Sequence, residues 1–190
     1  MITNETLETI KKRRSIRKFK EDQIKKEELD AILEAAIYAP TGHNDQPWHF
    51  TVIQNKNLLN TISALTNEAM RKSEVKWIAK LGEKNRHIFF NAPTVVIVSG
   101  RKNGYSPLTD CSAAIQNMLL AAESLNIGSL WNGLVELFFK MDQVKELNIP
   151  EGFEPYYAVA LGYKDCEQPK TPERNKDVYS YIKHQSVHFE

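Results

Sequence analysis

Residues 11–20, KKRRSIRKFK, hold seven Lys or Arg in a chain of 190 residues whose formal charge is only +1. Positive charge is gathered there against a balanced background. Arg13, Arg14 and Arg17 carry planar guanidinium forks that match phosphate or carboxylate oxygens bidentately, and Ser15 adds a hydroxyl donor. Ile16 and Phe19 interrupt the charge and are apolar enough to anchor the backbone while the arginines point elsewhere. An anion site and a solvated surface both remain open on this composition. Nucleic acid ranks below them, because no aromatic nucleic-acid motif accompanies the run.

Two further stretches concentrate polar groups beside aromatic rings. PTGHNDQPW, residues 40–48, is either a stiff turn between a helix and a strand or a wall of hydrogen-bonding groups along a planar polar ligand. Trp131-Asn132-Gly133 is either packing or a place where glycine lets the backbone come close to a ring.

Other chemistries lack a starting point. There is no GxGxxG or GxxxxGK[ST], so a phosphate here depends on side chains. The five histidines show no HExxH or related spacing. No GxSxG elbow occurs. Cys111 and Cys166 stand far apart without a CxxC, which argues against a zinc site or a disulfide and for reduced thiols. With 25 basic and 24 acidic residues the chain has no global pull toward nucleic acid. Charges interrupt the first fourteen residues where a secretory signal needs an apolar run. The longest strongly apolar stretch, 92–99, is far short of the roughly 20 residues a membrane helix needs. A cytoplasmic protein with neither membrane nor metal is expected.

Elements to position these groups follow from periodicity. Asn4 or Thr3 can cap a short helix carrying Leu7 and Ile10, so the basic run begins as that helix ends. Leu29, Ile32, Leu33, Ala36 and Ile37 fall at i, i+3, i+4, i+7 and i+8, which predicts a helix over 25–39 stopped by Pro40. A strand is expected over 48–54, a helix around 58–65, weaker helical patterning over 74–90, and a buried strand over 94–99. Cys111, Ile115, Met118, Leu119, Ala122 and Leu125 predict a long buried helix over 108–125. Asn126 and Gly128 supply its stop, and residues 129–134 follow as a short strand or loop. Asp142 can cap a helix through 147, and 156–163 reads as a further core strand. The polar tail from 164 carries Val178, Tyr179, Tyr181 and Ile182, apolar enough to pack on something, a second subunit being one candidate. No repeat or linker divides the chain, which is expected to form one α+β domain over 1–190.

The order and spacing of three stretches resemble the FMN-dependent nitroreductase family. RRSIRKF is similar to its Arg-x-Ser-x-Arg/Lys segment, and APTGHNDQPWHF to its Ala/Ser-Pro-Ser-x-x-Asn-x-Gln-Pro-Trp segment. FFNAPTVVIVSG, DCSAAIQNMLLAAESLNIGSLWNG and PYYAVALGYKDCEQPKTPERN extend the likeness over nearly the whole chain. The resemblance implies a nitroreductase-like α+β fold: a central mixed, mainly antiparallel sheet flanked by helices, in an intertwined homodimer with FMN at the subunit interface. It implies that Arg13, Arg14 and Ser15 contact phosphate and ribityl, and that Arg17 reaches the ribityl and pyrimidine edge. Pro40, Thr41, Gly42 and Asn44 would come from the other subunit. Asn132 and Gly133 match positions near flavin N5, Lys170 and Arg174 the tail's phosphate-binding bases, and Asn67 an amide at the pyrimidine edge. The implied activity is NADH- or NADPH-driven reduction of nitroaromatic, quinone or similar electron-poor acceptors, with no protein nucleophile. Enoate reduction, dehalogenation or dehydrogenation at the same cofactor is the alternative, and a non-catalytic flavin-binding redox sensor another.

Overall fold

The computed structural model describes residues 2–182, so His184 and His188 lie outside the described residues. Helix α1 (Glu5–Lys12) starts where Asn4 Oδ1 accepts the Leu7 N–H at 2.9 Å, and ends on Lys11 and Lys12 at the negative end of its dipole. Helix α2 (Lys26–Ile37) opens with the Lys25 N–H donating to the Glu28 carboxylate at 2.9 Å and buries Leu29, Ile32 and Ala36. Ile37 falls in its last turn and is half exposed. Strand β1 (Trp48–Ile53) and helix α3 (Lys56–Arg71) follow.

The sheet has four strands in the order β1-β2-β4-β3, with β2 (Thr94–Arg101), β3 (Ile127–Asn132) and β4 (Phe153–Tyr163). All three ladders are antiparallel. The parallel pairing among the described residues is an isolated bridge from Ser15 to Ser129. β2 is central and covered on both faces, with every residue from Thr94 to Gly100 buried, which explains its unbroken β-branched run. Its pleat divides the core: Val95 and Ile97 join the cluster under α3 with Ile62, Phe89 and Phe138. Val96 and Val98 join Ile32, Ile115 and Met118 under α2 and α5 (Pro107–Ser124). Each of these side chains contributes about 1.5–3 kcal/mol when fully buried.

Helix α5 buries Cys111, Ile115, Met118, Leu119 and Ala122 as its spacing requires. Leu125 differs: it is the C-cap and 40% exposed. Asn126 makes the turn at φ 58°, whereas Gly128 lies inside β3. Over 74–90 the helix is shorter than its pattern suggested. Helix α4 (Lys76–Glu83) ends early, and the chain then turns with Asn85, Phe90 and Asn91 at positive φ. A short helix α6 (Glu136–Phe139) had no periodic signal, being too brief for one, and Asp142–Leu147 is a 3-10 helix rather than an α-helix. In the tail Val178, Tyr179, Tyr181 and Ile182 are exposed.

Candidate functional site

The basic run forms as a fastened edge, not a free loop. The Ile16 N–H donates to Ser129 O at 2.9 Å, and the Lys20 N–H donates to Tyr163 O at 2.9 Å, so residues 15–20 lie along the β3 side of the sheet. Ile16 and Phe19 are buried. They can approach because Gly128 and Gly162 face each other in the ladder: a Cβ on Gly128 would meet Ile16 Cγ2 at 3.0 Å, and one on Gly162 would meet Phe19 Cδ1 at 3.0 Å.

The arginines do different things. Arg14 is buried and donates to Lys11 O at 2.7 Å, to Arg13 O at 2.6 Å and to the Thr171 hydroxyl, so most of its guanidinium secures the chain. Arg13 is half-buried. Burial, then the like charge of Arg14, pulls its guanidinium below the ordinary value, Arg174 adding to this and Glu123 opposing it. Glu123 is itself engaged by Lys164 at 3.0 Å. The tail thus returns along the basic segment: the Asp165 N–H donates to Lys18 O at 3.1 Å and Gln168 Nε2 donates to Lys12 O at 2.6 Å. Arg174 comes close enough to Arg13 for their charges to interact, and Lys170 is exposed on the same stretch.

Arg17 sits at the other end of this segment, its guanidinium 5.9 Å from the centroid of the Phe90 ring. It lines a cavity of about 360 Å³ together with Asn67, Met70, Trp131, Asn132 and Gly133. Helix α3 presents Ser63, Thr66 and Asn67 on its buried stripe. Asn67 Nδ2 donates to Ser63 O at 3.0 Å and Arg86 O at 2.8 Å, while its buried Oδ1 has no partner among the described residues. Flipping the amide would set oxygen against two carbonyls, so Oδ1 is the free acceptor. Asn132 Nδ2 donates to Ile88 O at 2.6 Å and its Oδ1 accepts the Val135 N–H at 3.1 Å. Asn132 is therefore spent on holding the wall. Gly133 is exposed, and a Cβ there would meet only Tyr157 ring carbons at 3.9 Å, so a planar group can lie against its backbone.

The loop at 40–47 is elsewhere. Its Gly42 N–H points to the buried Asp110 carboxylate at 3.3 Å, and Asp45 accepts the Tyr105 N–H at 3.3 Å. His43, Asn44 and Gln46 hold positive φ, a costly conformation for residues with a Cβ. Pro40 and Asn44 are exposed, Thr41 and Gly42 half-buried. The loop packs on the start of α5, while Arg13 feels Glu123 near its end, and 18 residues of helix span about 27 Å. The loop also precedes β1, at the edge of the sheet opposite β3. One protomer thus gathers Arg17, Asn67, Asn132 and Gly133 around the cavity and Arg13 beside Arg174, but leaves Pro40, Thr41, Gly42 and Asn44 apart from both.

Lys84, Arg86 and His87 also line the cavity and were not singled out by sequence. A signal existed, since the polar run KNRH at 84–87 interrupts an apolar pattern just before Ile88 and Phe89. His87 Nδ1 accepts the Phe89 and Asn91 N–H groups at 3.2 and 3.3 Å, and burial holds its pKa below the ordinary value. Cys111, on the buried face of α5, has its thiol pushed up to about 12 by burial and then by the nearby Asp110. Among the described residues no helix is long and apolar enough to cross a membrane.

The family model described as the Nitroreductase family matches residues 10–163. A solved nitroreductase with bound FMN from Bacteroides fragilis is 36% identical with a TM-score of 0.86, covering 95% of this chain and 100% of that one. A second, from Desulfitobacterium hafniense and also with bound FMN, is 33% identical with a TM-score of 0.87 over 96% of this chain and 100% of its own. A curated protein of Methanothermobacter thermautotrophicus, provisionally named NADH dehydrogenase/NAD(P)H nitroreductase, is 35% identical over 173 residues, 88% of this chain and 81% of its own length. By the matched residues and by the shared sheet and helix layers, this chain belongs to the nitroreductase family.

Proposed function

We propose that this protein is an FMN-dependent NAD(P)H oxidoreductase acting on nitroaromatic, quinone or similar electron-poor acceptors, built as one domain and working as a homodimer. The observation that carries this is a single fastened segment, residues 13–19, that offers Arg13 to an anion at one end and Arg17 to the cavity at the other. The donor set fits FMN. Arg13, with Lys170 and Arg174, would hold the phosphate, Ser15 would add a hydroxyl toward it, and Arg14 would keep the strand taut. The oxidised isoalloxazine ring has one N–H, at N3, and Asn67 Oδ1 is a buried acceptor lacking a donor. Gly133 leaves room for the ring, and Pro40, Thr41, Gly42 and Asn44 of a second subunit would close it.

FMN bound there would supply hydride and electron transfer from NADH or NADPH to the acceptor, in alternation at one face. The chain's own part is binding and electrostatics. Arg17 places a positive charge at the cavity, where it would answer the negative charge of a reduced flavin. Asn132 fixes the Ile88 wall, and Trp131, Met70 and Leu81 keep water from the ring. No side chain needs to act as a nucleophile.

Purified protein is expected to be yellow and to bleach with NADH or NADPH, the colour returning with a nitroarene or quinone. Colourless protein that also fails to take up added FMN would overturn the reading. Arg13→Ala and Arg17→Ala should each cut flavin retention at least about tenfold, the scale of a lost charge-assisted contact, while changing stability by about 0.5 kcal/mol or less. Full flavin occupancy in both variants would remove the basic segment from the site.

A further inference from the structure

The cavity holds more positive charge than this cofactor accounts for. Arg17, Lys84 and Arg86 line it, and no carboxylate does. Glu83, adjacent in sequence, is exposed and does not line it. Lys12, Lys18, Lys26, Lys72, Lys140 and Lys164 are each matched to an Asp or Glu. Lys84 and Arg86, like Lys76 and Lys80, have neither an ion pair nor a side-chain hydrogen bond among the described residues; what sets them apart is that they line the cavity. On the reading above, the phosphate belongs with Arg13 and the tail, the oxidised ring is uncharged, and Arg17 answers the charge of reduction. Two cations are left over beside an apolar wall of Met70, Leu81 and Leu134. His87 adds a neutral donor: with Nδ1 occupied by two N–H groups, its proton is on Nε2.

We propose that the electron acceptor is a planar aromatic or quinone compound carrying a fixed anionic group, a carboxylate above all, and that Lys84 and Arg86 hold that group while the ring lies on the apolar wall. This rests on the FMN reading of the same cavity. It narrows the acceptor from any electron-poor ring to anionic ones. Flexible exposed cations give a modest preference, one that salt weakens.

The test compares 4-nitrobenzoate with 4-nitrobenzamide, near-isosteric rings that differ in charge, on the holoprotein. Calorimetric Kd and steady-state KM are both measured. At low ionic strength the carboxylate should bind about three- to tenfold more tightly than the amide. The ratio should shrink toward one with added salt and in K84Q/R86Q, and should survive in K84R/R86K. If the double variant melts early, K84Q and R86Q singly should each lose part of the ratio. A wild-type ratio of one overturns the proposal, as does a ratio that K84Q/R86Q leaves intact. A raised KM for NADH or NADPH with an unchanged carboxylate-to-amide ratio would assign these cations to the dinucleotide and overturn it equally. Failure of the FMN reading looks different: the protein is colourless, while calorimetry still reports the charge preference of the cavity.

Discussion

His87 shows how a residue's role is set by its backbone neighbours. Its Nδ1 accepts from Phe89 and Asn91 across a turn in which Phe90 and Asn91 both hold positive φ, a conformation rare for a bulky residue and one that the fold must enforce. Protonating Nδ1 would face a donor with two donors, and burial already disfavours the charged ring. The folded pKa thus lies below the unfolded value of about 6.5, so the unfolded chain takes the proton first. The stability His87 contributes is fully present above that unfolded value and is lost as pH falls through it toward the folded one. An NMR titration should find the His87 ring with a midpoint below the ordinary imidazole value, and His87→Gln should flatten the acid side of the stability profile. A midpoint at or above the ordinary value would contradict the hydrogen bonding described. The polar run at 84–87 marks the neighbourhood of His87, but its hydrogen bonding was not legible in the sequence, where it was one of five histidines without a motif. The arginines were legible as a group, but not their division of labour: the sequence cannot show that Arg14 is buried against the carbonyls of Lys11 and Arg13, while the exposed Arg17 makes one long bond, to Ser15 O at 3.4 Å, and otherwise faces the cavity.

At the scale of elements, legibility follows locality. Helices α2 and α5 and strand β2 write their burial into spacing, because one face or both faces must be apolar for them to pack. Helix α4 is announced by a weak pattern over 74–90 that overstates its length, because the turns after it, like the brief α6, are shaped by what they pack on. The Gly128–Gly162 pair is intermediate. Gly128 suggested a helix stop, but its work is to let the basic segment lie flat on the sheet through Ile16 and Phe19. Gly128→Ala should press on Ile16 Cγ2, Phe19 Cε1 and Gly162 O, all within 3.0–3.1 Å of the new Cβ. Overpacking of this kind costs about 1–3 kcal/mol, read as a lower urea midpoint. The displaced segment carries Arg13 and Arg17, so flavin occupancy of the folded variant should fall as well. A variant with normal occupancy and midpoint would show that residues 15–19 do not need the glycine pair.

At the scale of the whole molecule, the proposed homodimer rests on the distance between the loop at 40–47 and the Arg13 cluster. Helix α5 holds the loop at 40–47 near its start and the Arg13 cluster near its end, so one chain cannot bring Asn44 to its own Arg13 without unpacking its core. Tyr38, Leu108, Leu125 and Val178 also leave apolar side chains exposed that a second subunit would cover. A homodimer with each FMN held between Arg13, Arg17 and Asn67 of one subunit and Asn44 of the other satisfies both facts, and it predicts complementation. R13A/R17A homodimers should lose both sites, and homodimers with a disrupted loop, Thr41→Arg with Asn44→Ala, should lose both too. Refolded together, the two chains form heterodimers in which one site takes both defects and the other takes neither. Separated by distinct affinity tags, these should bind one FMN per dimer and recover about half of the wild-type NAD(P)H-dependent activity, since the intact site is unaltered. Had the loop served its own chain, each site of the heterodimer would carry one defect, and neither flavin nor activity would return. A monomer by sedimentation equilibrium that retains FMN stoichiometrically would refute the interface itself, because the site would then be complete within 190 residues.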